Sequence, residues 1–236
     1  MNNLIAVSGK ISSGKDLLVN ILQYLYWKKK VLEKGIINKA WLRPFSVDFD
    51  PKGVVSSLRY ENRKFADLIK DTVCLWIGCT RDQLEDRNFK ERPLGPKWWY
   101  YLSPNGTKVP YEKDLTLPDS DLVKVTPRMI MQLLGTEGGR VAIHPNIWVN
   151  TLIDKYKSGM RWFISDCRFP NEADAVKAKG GLVIRIERPN QITTADGKHM
   201  HPSETSLDNY EGFDHVFIND GSIEDLVKKV EEWLEK

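Results

Sequence analysis

Seven residues near the N-terminus, Gly9-Lys-Ile-Ser-Ser-Gly14-Lys15, fit G-x-x-x-x-G-K and leave few folds open. Before them, Asn3–Ser8 is a short apolar run bounded by polar residues, the pattern of a buried strand. After them, Leu18, Ile21, Leu22 and Leu25 recur at helical spacing as far as Lys28–Lys30, where positive charge suits a helix C-terminus. A strand, a glycine-bounded turn and a helix in that order make an anion cradle. Backbone N–H groups turn inward, glycines permit the turn, the helix N-terminus adds a positive field, and Lys15 reaches the outer phosphates of a bound anion. Three fixed positions alone would match by chance in roughly one chain in ten of this length. The flanking strand and helix supply the specificity. The backbone and side chains of Gly9, Ser12, Ser13, Gly14, Lys15, Asp16 and Leu17 are therefore the expected cradle, and the alternative is a glycine-rich turn with one exposed lysine. Asp16 stands where Ser or Thr usually meets Mg²⁺. A carboxylate there can hold the metal directly or through water, act on an acceptor, or cap the helix.

Downstream, residues 35–63 are mixed, Lys64–Ala66 could form a short strand, and Asp67–Ile77 reads as a helix with Leu68, Ile69, Val73 and Trp76 inward. Residues 81–125 are charged, broken by five prolines, and carry Trp98, Trp99, Tyr100 and Tyr101, with a hairpin signal at Asn105-Gly106. They are expected to be an insertion in a single domain spanning 1–236. Thr126-Pro127 opens a helix expected to stop at Gly135, and another is expected over Ile147–Tyr156. Arg161–Ser165, Leu182–Glu187 and His215–Ile218 read as strands, with a helix over Asn171–Lys179 between the first two. Ser222 and Asp225 form a capping box for a terminal helix with Ile223, Leu226, Val227, Val230, Trp233 and Leu234 inward. Strands alternating with helices imply an α/β fold: a parallel sheet of about five strands with helices on both faces, a three-layer sandwich.

Composition narrows the function. Lys+Arg number 35 against Asp+Glu 32, a formal net charge of +3 in 236 residues, so any anion site must come from local placement of charge. No nucleic-acid partner is expected, and the aromatic cluster has no basic track beside it. It fits better a hairpin over an acceptor cleft or a homodimer contact. Cys74, Cys79 and Cys167 are odd in number and lack the spacing of a zinc site, which suggests reduced thiols in a cytoplasmic protein. No secretory start and no long apolar run occur, so no membrane partner is expected.

Further segments carry a resemblance. The loop ends Ser-Gly-Lys-Asp, as in phosphomevalonate kinases of the P-loop type. With it come Lys64-Phe-Ala-Asp67 and Lys70; Thr126-Pro-Arg128 with Gln132-Leu-Leu-Gly-Thr-Glu137 and Arg140; Pro145-Asn-Ile-Trp148; Ser165-Asp-Cys-Arg168-Phe-Pro-Asn-Glu172; and His201-Pro-Ser-Glu204. In this order the chain resembles the deoxynucleoside monophosphate kinases of bacteriophages. Residues 35–63 and 81–125 are least covered, and Leu17 stands where family members often have Thr.

The resemblance implies transfer of the γ-phosphoryl of ATP, with Mg²⁺, to a deoxynucleoside 5′-monophosphate in a host cytoplasm. It also implies that the cradle strand neighbours the strand ending at Asp166. Arg168 is then a candidate phosphate clamp and Asp166 a metal carboxylate or its neighbour, or the two are a structural pair fixing the turn. Arg128 and Arg140 suit a monophosphate through the guanidinium fork, and Gln132, one turn beyond Arg128, could read a base edge. Asp67 and Lys70 share a helix face and could meet the acceptor, and Trp148 could stack on a base or sit in the core. Arg188 opens a polar stretch, 189–208, expected to be a lid, in which the resemblance gives His201, Ser203 and Glu204 a closing or substrate-contact role. Asn219 could touch the adenine or simply turn the chain. A kinase of another phosphorylated metabolite, such as phosphomevalonate, and a nucleotide-binding module without transfer activity are the competing readings.

Overall fold

All five residues of β1 (Leu4–Ser8) are buried, which a strand achieves only when it has neighbours on both edges and cover on both faces. The computed structural model describes residues 2–113, 118–189 and 202–235. From β1 the chain runs through the glycine-bounded turn into α1 (Lys15–Glu33) and on to β2 (Glu61–Arg63). There follow α2 (Asp67–Ile77), α3 (Arg81–Glu85), α4 (Arg87–Glu91), β3 (Tyr100–Leu102), β4 (Lys108–Pro110), β5 (Leu122–Val123) and α5 (Pro127–Leu133). A π-helical run, Leu134–Ile143, precedes α6 (Ile147–Ile153), β6 (Trp162–Cys167), α7 (Pro170–Ala178), β7 (Leu182–Glu187), α8 (Pro202–Thr205), β8 (His215–Ile218) and α9 (Ile223–Leu234). The chain divides into two compact units: Met1–Phe65 with Val149–Lys236, and Ala66–Trp148.

The first unit holds a five-stranded sheet in the order β2-β6-β1-β7-β8, parallel throughout. Side chains alternate across β1. Ile5 and Val7 enter a core with Leu18, Ile21 and Leu22 of α1 and Leu226 and Val230 of α9. Leu4, on the other face, meets Val176 of α7 around Gly181, where an added Cβ would lie 2.9 Å from Leu4 and 2.7 Å from Val176. Helices thus cover both faces, and the fold is the expected three-layer α/β sandwich, with β1 beside β6. Its central strand ends at the crevice outside the carboxyl edge of the sheet, where ligands of such sheets bind. The Ser222–Asp225 capping box is present at the start of α9.

Some expected boundaries are corrected. The first edge strand is Glu61–Arg63, not Lys64–Ala66. All three of its side chains are exposed, so no apolar alternation marks it. On α9, Ile223 is exposed while Leu226 and Val230 are buried.

The second unit contains the antiparallel sheet β4-β3-β5. The Asn105-Gly106 hairpin forms, with Gly106 at φ 83° and Leu102 opposite Lys108. Residues 81–125 lie within this unit. Tyr101 is buried and the Trp99 indole donates to Leu94 O, so part of the aromatic cluster packs inward. On α2 the buried face is Ile69 and Val73, four apart, while Leu68 and Trp76 are exposed. The helix begun at Thr126-Pro127 does not stop at Gly135 but passes into the π-helical run. The glycines there serve close packing, not termination. A Cβ on Gly139 would lie 2.5 Å from the Trp148 ring. Gly139→Ala is expected to lower stability by about 1–3 kcal/mol through overpacking, read as a lower urea midpoint; an unchanged midpoint would contradict this packing.

Candidate active site

The turn after β1 is held by the strand beside it. Gly9 has φ 154°, and a Cβ there would sit 2.5 Å from the Ile186 carbonyl of β7. Gly14, at φ 104°, is the N-cap of α1, and a Cβ there would meet Asn219 Nδ2 at 2.8 Å. That amide donates to Ser13 O at 3.0 Å, so the residue after β8 grips the turn from beneath. Asn219 was expected near the adenine; what the structure gives it is this support of the cradle. Ser13 Oγ is buried and has no hydrogen-bond partner among the described residues. Ser12 is exposed with φ 60°. Leu17 is partly buried and packs against the core.

Lys15 Nζ donates to the carbonyls of Gly9 and Lys10, each at 2.6 Å, which draws the ammonium into the turn. Burial first, and then the Arg168 guanidinium, push this ammonium down to about 8, against opposing pulls from Glu204, Asp16 and Asp166. Two cations and three carboxylates therefore converge on the turn. Asp16 is 82% exposed, in the first turn of α1, with Lys64 Nζ 3.7 Å away. Asp166, on β6, accepts the Phe65 N–H at 2.8 Å.

Arg168 follows β6 and is held from two sides. Buried Glu172 accepts the Arg168 and Phe169 N–H groups, at 2.7 and 3.1 Å, and fixes the start of α7. Glu204 of α8 pairs with the Arg168 guanidinium and accepts the Ile11 N–H at 3.0 Å. Ser203 O lies 3.4 Å from Arg168 Nη1. Beside them, buried Arg185 of β7 bonds to Glu187, to Leu207 O and to Asp208, and Asp208 pairs with Lys10 of the turn at 3.2 Å. Sequence reasoning missed Arg185 and the Lys10–Asp208 pair, and gave Glu172, quoted in the segment Ser165–Glu172, no role. A charge inside a dense branched strand, Leu182–Glu187, was the available signal for Arg185. Arg188 is exposed just beyond this strand. His201 and most of the expected lid lie outside the described residues, while Ser203 and Glu204 lie against the cradle.

The expected acceptor residues, Asp67, Lys70, Arg128, Gln132, Arg140 and Trp148, all belong to the second unit. Asp67 pairs with Arg81 at 3.0 Å and Lys70 with Glu85 at 2.6 Å. Arg128 pairs with Glu91 of α4 at 2.5 Å. Arg140 donates to Gly135 O, and Gln132 is half-buried on α5. Trp148 is 4% exposed and its indole N–H donates to the same Gly135 O, so the structure places it in the core and not as an open stacking face. Among the described residues no three His, Cys, Asp or Glu side chains gather into a metal cluster, and no helix is long and apolar enough to cross a membrane.

Comparison with known proteins extends this picture. A protein of Acanthamoeba polyphaga mimivirus is 33% identical over 126 residues, 48% of this chain and 63% of its own. The deoxynucleotide monophosphate kinase of Enterobacteria phage T4 is 35% identical over 112 residues, 45% of this chain and 44% of its own. The matches thus span about half the length of these curated relatives. A solved dephospho-CoA kinase from Campylobacter jejuni aligns over 99% of this chain and 96% of its own at 14% identity, with a TM-score of 0.36, too loose a likeness to bear on function. The family profile described as deoxynucleotide monophosphate kinase matches residues 105–230, more than half of the chain. The chain belongs to the deoxynucleotide monophosphate kinase family.

Proposed function

We propose that the chain transfers the γ-phosphoryl group of ATP to the 5′-phosphate of a deoxynucleoside monophosphate, releasing ADP and a deoxynucleoside diphosphate. The observation that carries the reading is the cradle itself. It closes the central strand of a parallel sheet, holds a buried Ser13 hydroxyl with no described partner, and sets Lys15 where burial, and then the Arg168 guanidinium, lower its pKa. Family membership supplies the acceptor class.

Phosphoryl transfer asks little covalent chemistry of a protein; it asks for alignment and for positive charge around the moving group. Lys15 would neutralise the outer phosphates and the turn's N–H groups would hold them. Arg168, its backbone fixed by Glu172, would fork onto the phosphoryl in transit. Asp16 and Asp166 offer hard oxygen donors beside Lys15. Mg²⁺ characteristically takes one or two protein carboxylates and fills its remaining positions with water and phosphate oxygens, so the residues present fit it. Asp16 and Asp166 would hold it, and the chemistry it would supply there is positive charge to offset that of the phosphates. Asp67, Lys70, Arg128, Gln132 and Arg140 are proposed for the acceptor, their present ion pairs to be exchanged for its phosphate and base.

ADP release from Mg·ATP against a panel of deoxynucleoside monophosphates, ribonucleotide counterparts and phosphomevalonate tests the reading. Turnover with at least one deoxynucleotide is expected. Turnover on phosphomevalonate alone would move the acceptor assignment, and silence throughout would favour a non-catalytic nucleotide-binding module.

Lys15 also sets a pH dependence. Its pKa in the unliganded chain is about 8, and a bound triphosphate favours the ammonium and raises it. Below that value Lys15 is already protonated; above it, binding must bring a proton. Triphosphate affinity is therefore expected to fall by up to about tenfold per pH unit as pH rises through 8, with net proton uptake in calorimetry near pH 9. A flat profile between about pH 7 and 10 would contradict the assigned position of Lys15.

A further inference from the structure

We infer that Glu204 is an internal stand-in for phosphate: in the unliganded chain its carboxylate occupies anion-binding groups of the cradle, and a triphosphate must expel it. This rests on the reading of the Gly9–Lys15 turn as a phosphate cradle.

The geometry is specific. One carboxylate oxygen of Glu204 accepts the Ile11 N–H at 3.0 Å, and the other pairs with Arg168 Nη1. A turn amide and an arginine fork are the two kinds of donor that protein phosphate sites combine. The negative charge also reaches Lys15, whose depressed pKa Glu204 pulls back upward. One side chain thus engages a loop amide, the clamp arginine and the field of the cradle lysine, 189 or more residues earlier in sequence for the lysine and turn but only 36 for the arginine.

The surrounding charges make the position costly to share. The cations facing this corner are Lys10, Lys15, Arg168 and Arg185; the anions are Asp16, Asp166, Glu172 and Asp208. Asp208 already engages Lys10 and Arg185, and Glu172 caps the Arg168 and Phe169 amides. With Glu204 in place, five carboxylates face these four cations before any ligand arrives. A phosphate oxygen drawn to Ile11 N–H and Arg168 competes with the carboxylate for the same donors and is repelled by it. Release costs little elsewhere, since α8 is a single turn that buries none of its own residues.

Calorimetric titration of ATP without acceptor, into the wild-type chain and Glu204→Gln, tests this. The glutamine keeps the shape and removes the charge, so it is expected to bind ATP about tenfold tighter, in line with the loss of a charge-assisted hydrogen bond in the free state. Equal or weaker binding would overturn the proposal and make Glu204 a support for Arg168. Should the variant fail to fold, amide exchange on the wild-type chain decides. ATP is expected to speed exchange in peptides covering 202–208, whereas slower or unchanged exchange there is the signature of a closing segment and would also overturn it. Absence of ATP binding to the wild-type chain would remove the cradle reading beneath the proposal, an outcome distinct from the others.

Discussion

The Ile186 carbonyl of β7 lies where any side chain on Gly9 would have to go, 2.5 Å from the position of a Cβ. This contact depends on the parallel pairing of β1 with β7, which sets Val7 opposite Ile184 and Ser8 opposite Arg185. The pairing brings the turn to the carboxyl edge of the sheet. It also brings Asn219, at the end of the neighbouring β8, under Ser13. Shape here is imposed from the core outward. Strands buried on both faces fix the register, the register fixes the turn, and the turn fixes where Lys15 can reach.

Electrostatics follow from that shape. A turn rich in N–H groups and cations draws negative charge, and the chain supplies carboxylates from every adjoining element: Asp16 from α1, Asp166 from β6, Glu172 from α7, and Glu204 and Asp208 from the segment around α8. Some are structural, as Glu172 is in fixing the amides at the start of α7. Others stand where ligand charge is expected, around a Lys15 whose pKa is lowered first by burial and then by the Arg168 guanidinium. A site built this way is tuned to accept a polyanion that replaces part of its own negative charge.

Much of the first unit was legible in the sequence because its central strands β1, β6 and β7 are apolar on both faces and α9 has a one-sided pattern. β2 was misplaced by three residues since Glu61, Asn62 and Arg63 are exposed and encode no period. Gly135 was read as a stop because a glycine after a helix usually is one; its neighbour Gly139 is instead a cleft for Trp148, a contact nine residues away that no local rule reports. Within the cradle, Lys15 and the glycines were readable because backbone chemistry dictates them. Arg185 and the Lys10–Asp208 pair were not, since each depends on which elements lie side by side, whereas Glu172 makes a local cap, three and four residues from the amides it accepts.

Turnover of Mg·ATP with a deoxynucleoside monophosphate by Lys15→Ala, with folding checked by circular dichroism, bears most directly on the cradle. The account predicts loss of transfer by several orders of magnitude in a chain that remains folded, because the ammonium held at Gly9 O and Lys10 O is the charge placed at the outer phosphates. Wild-type turnover in that folded variant would contradict it.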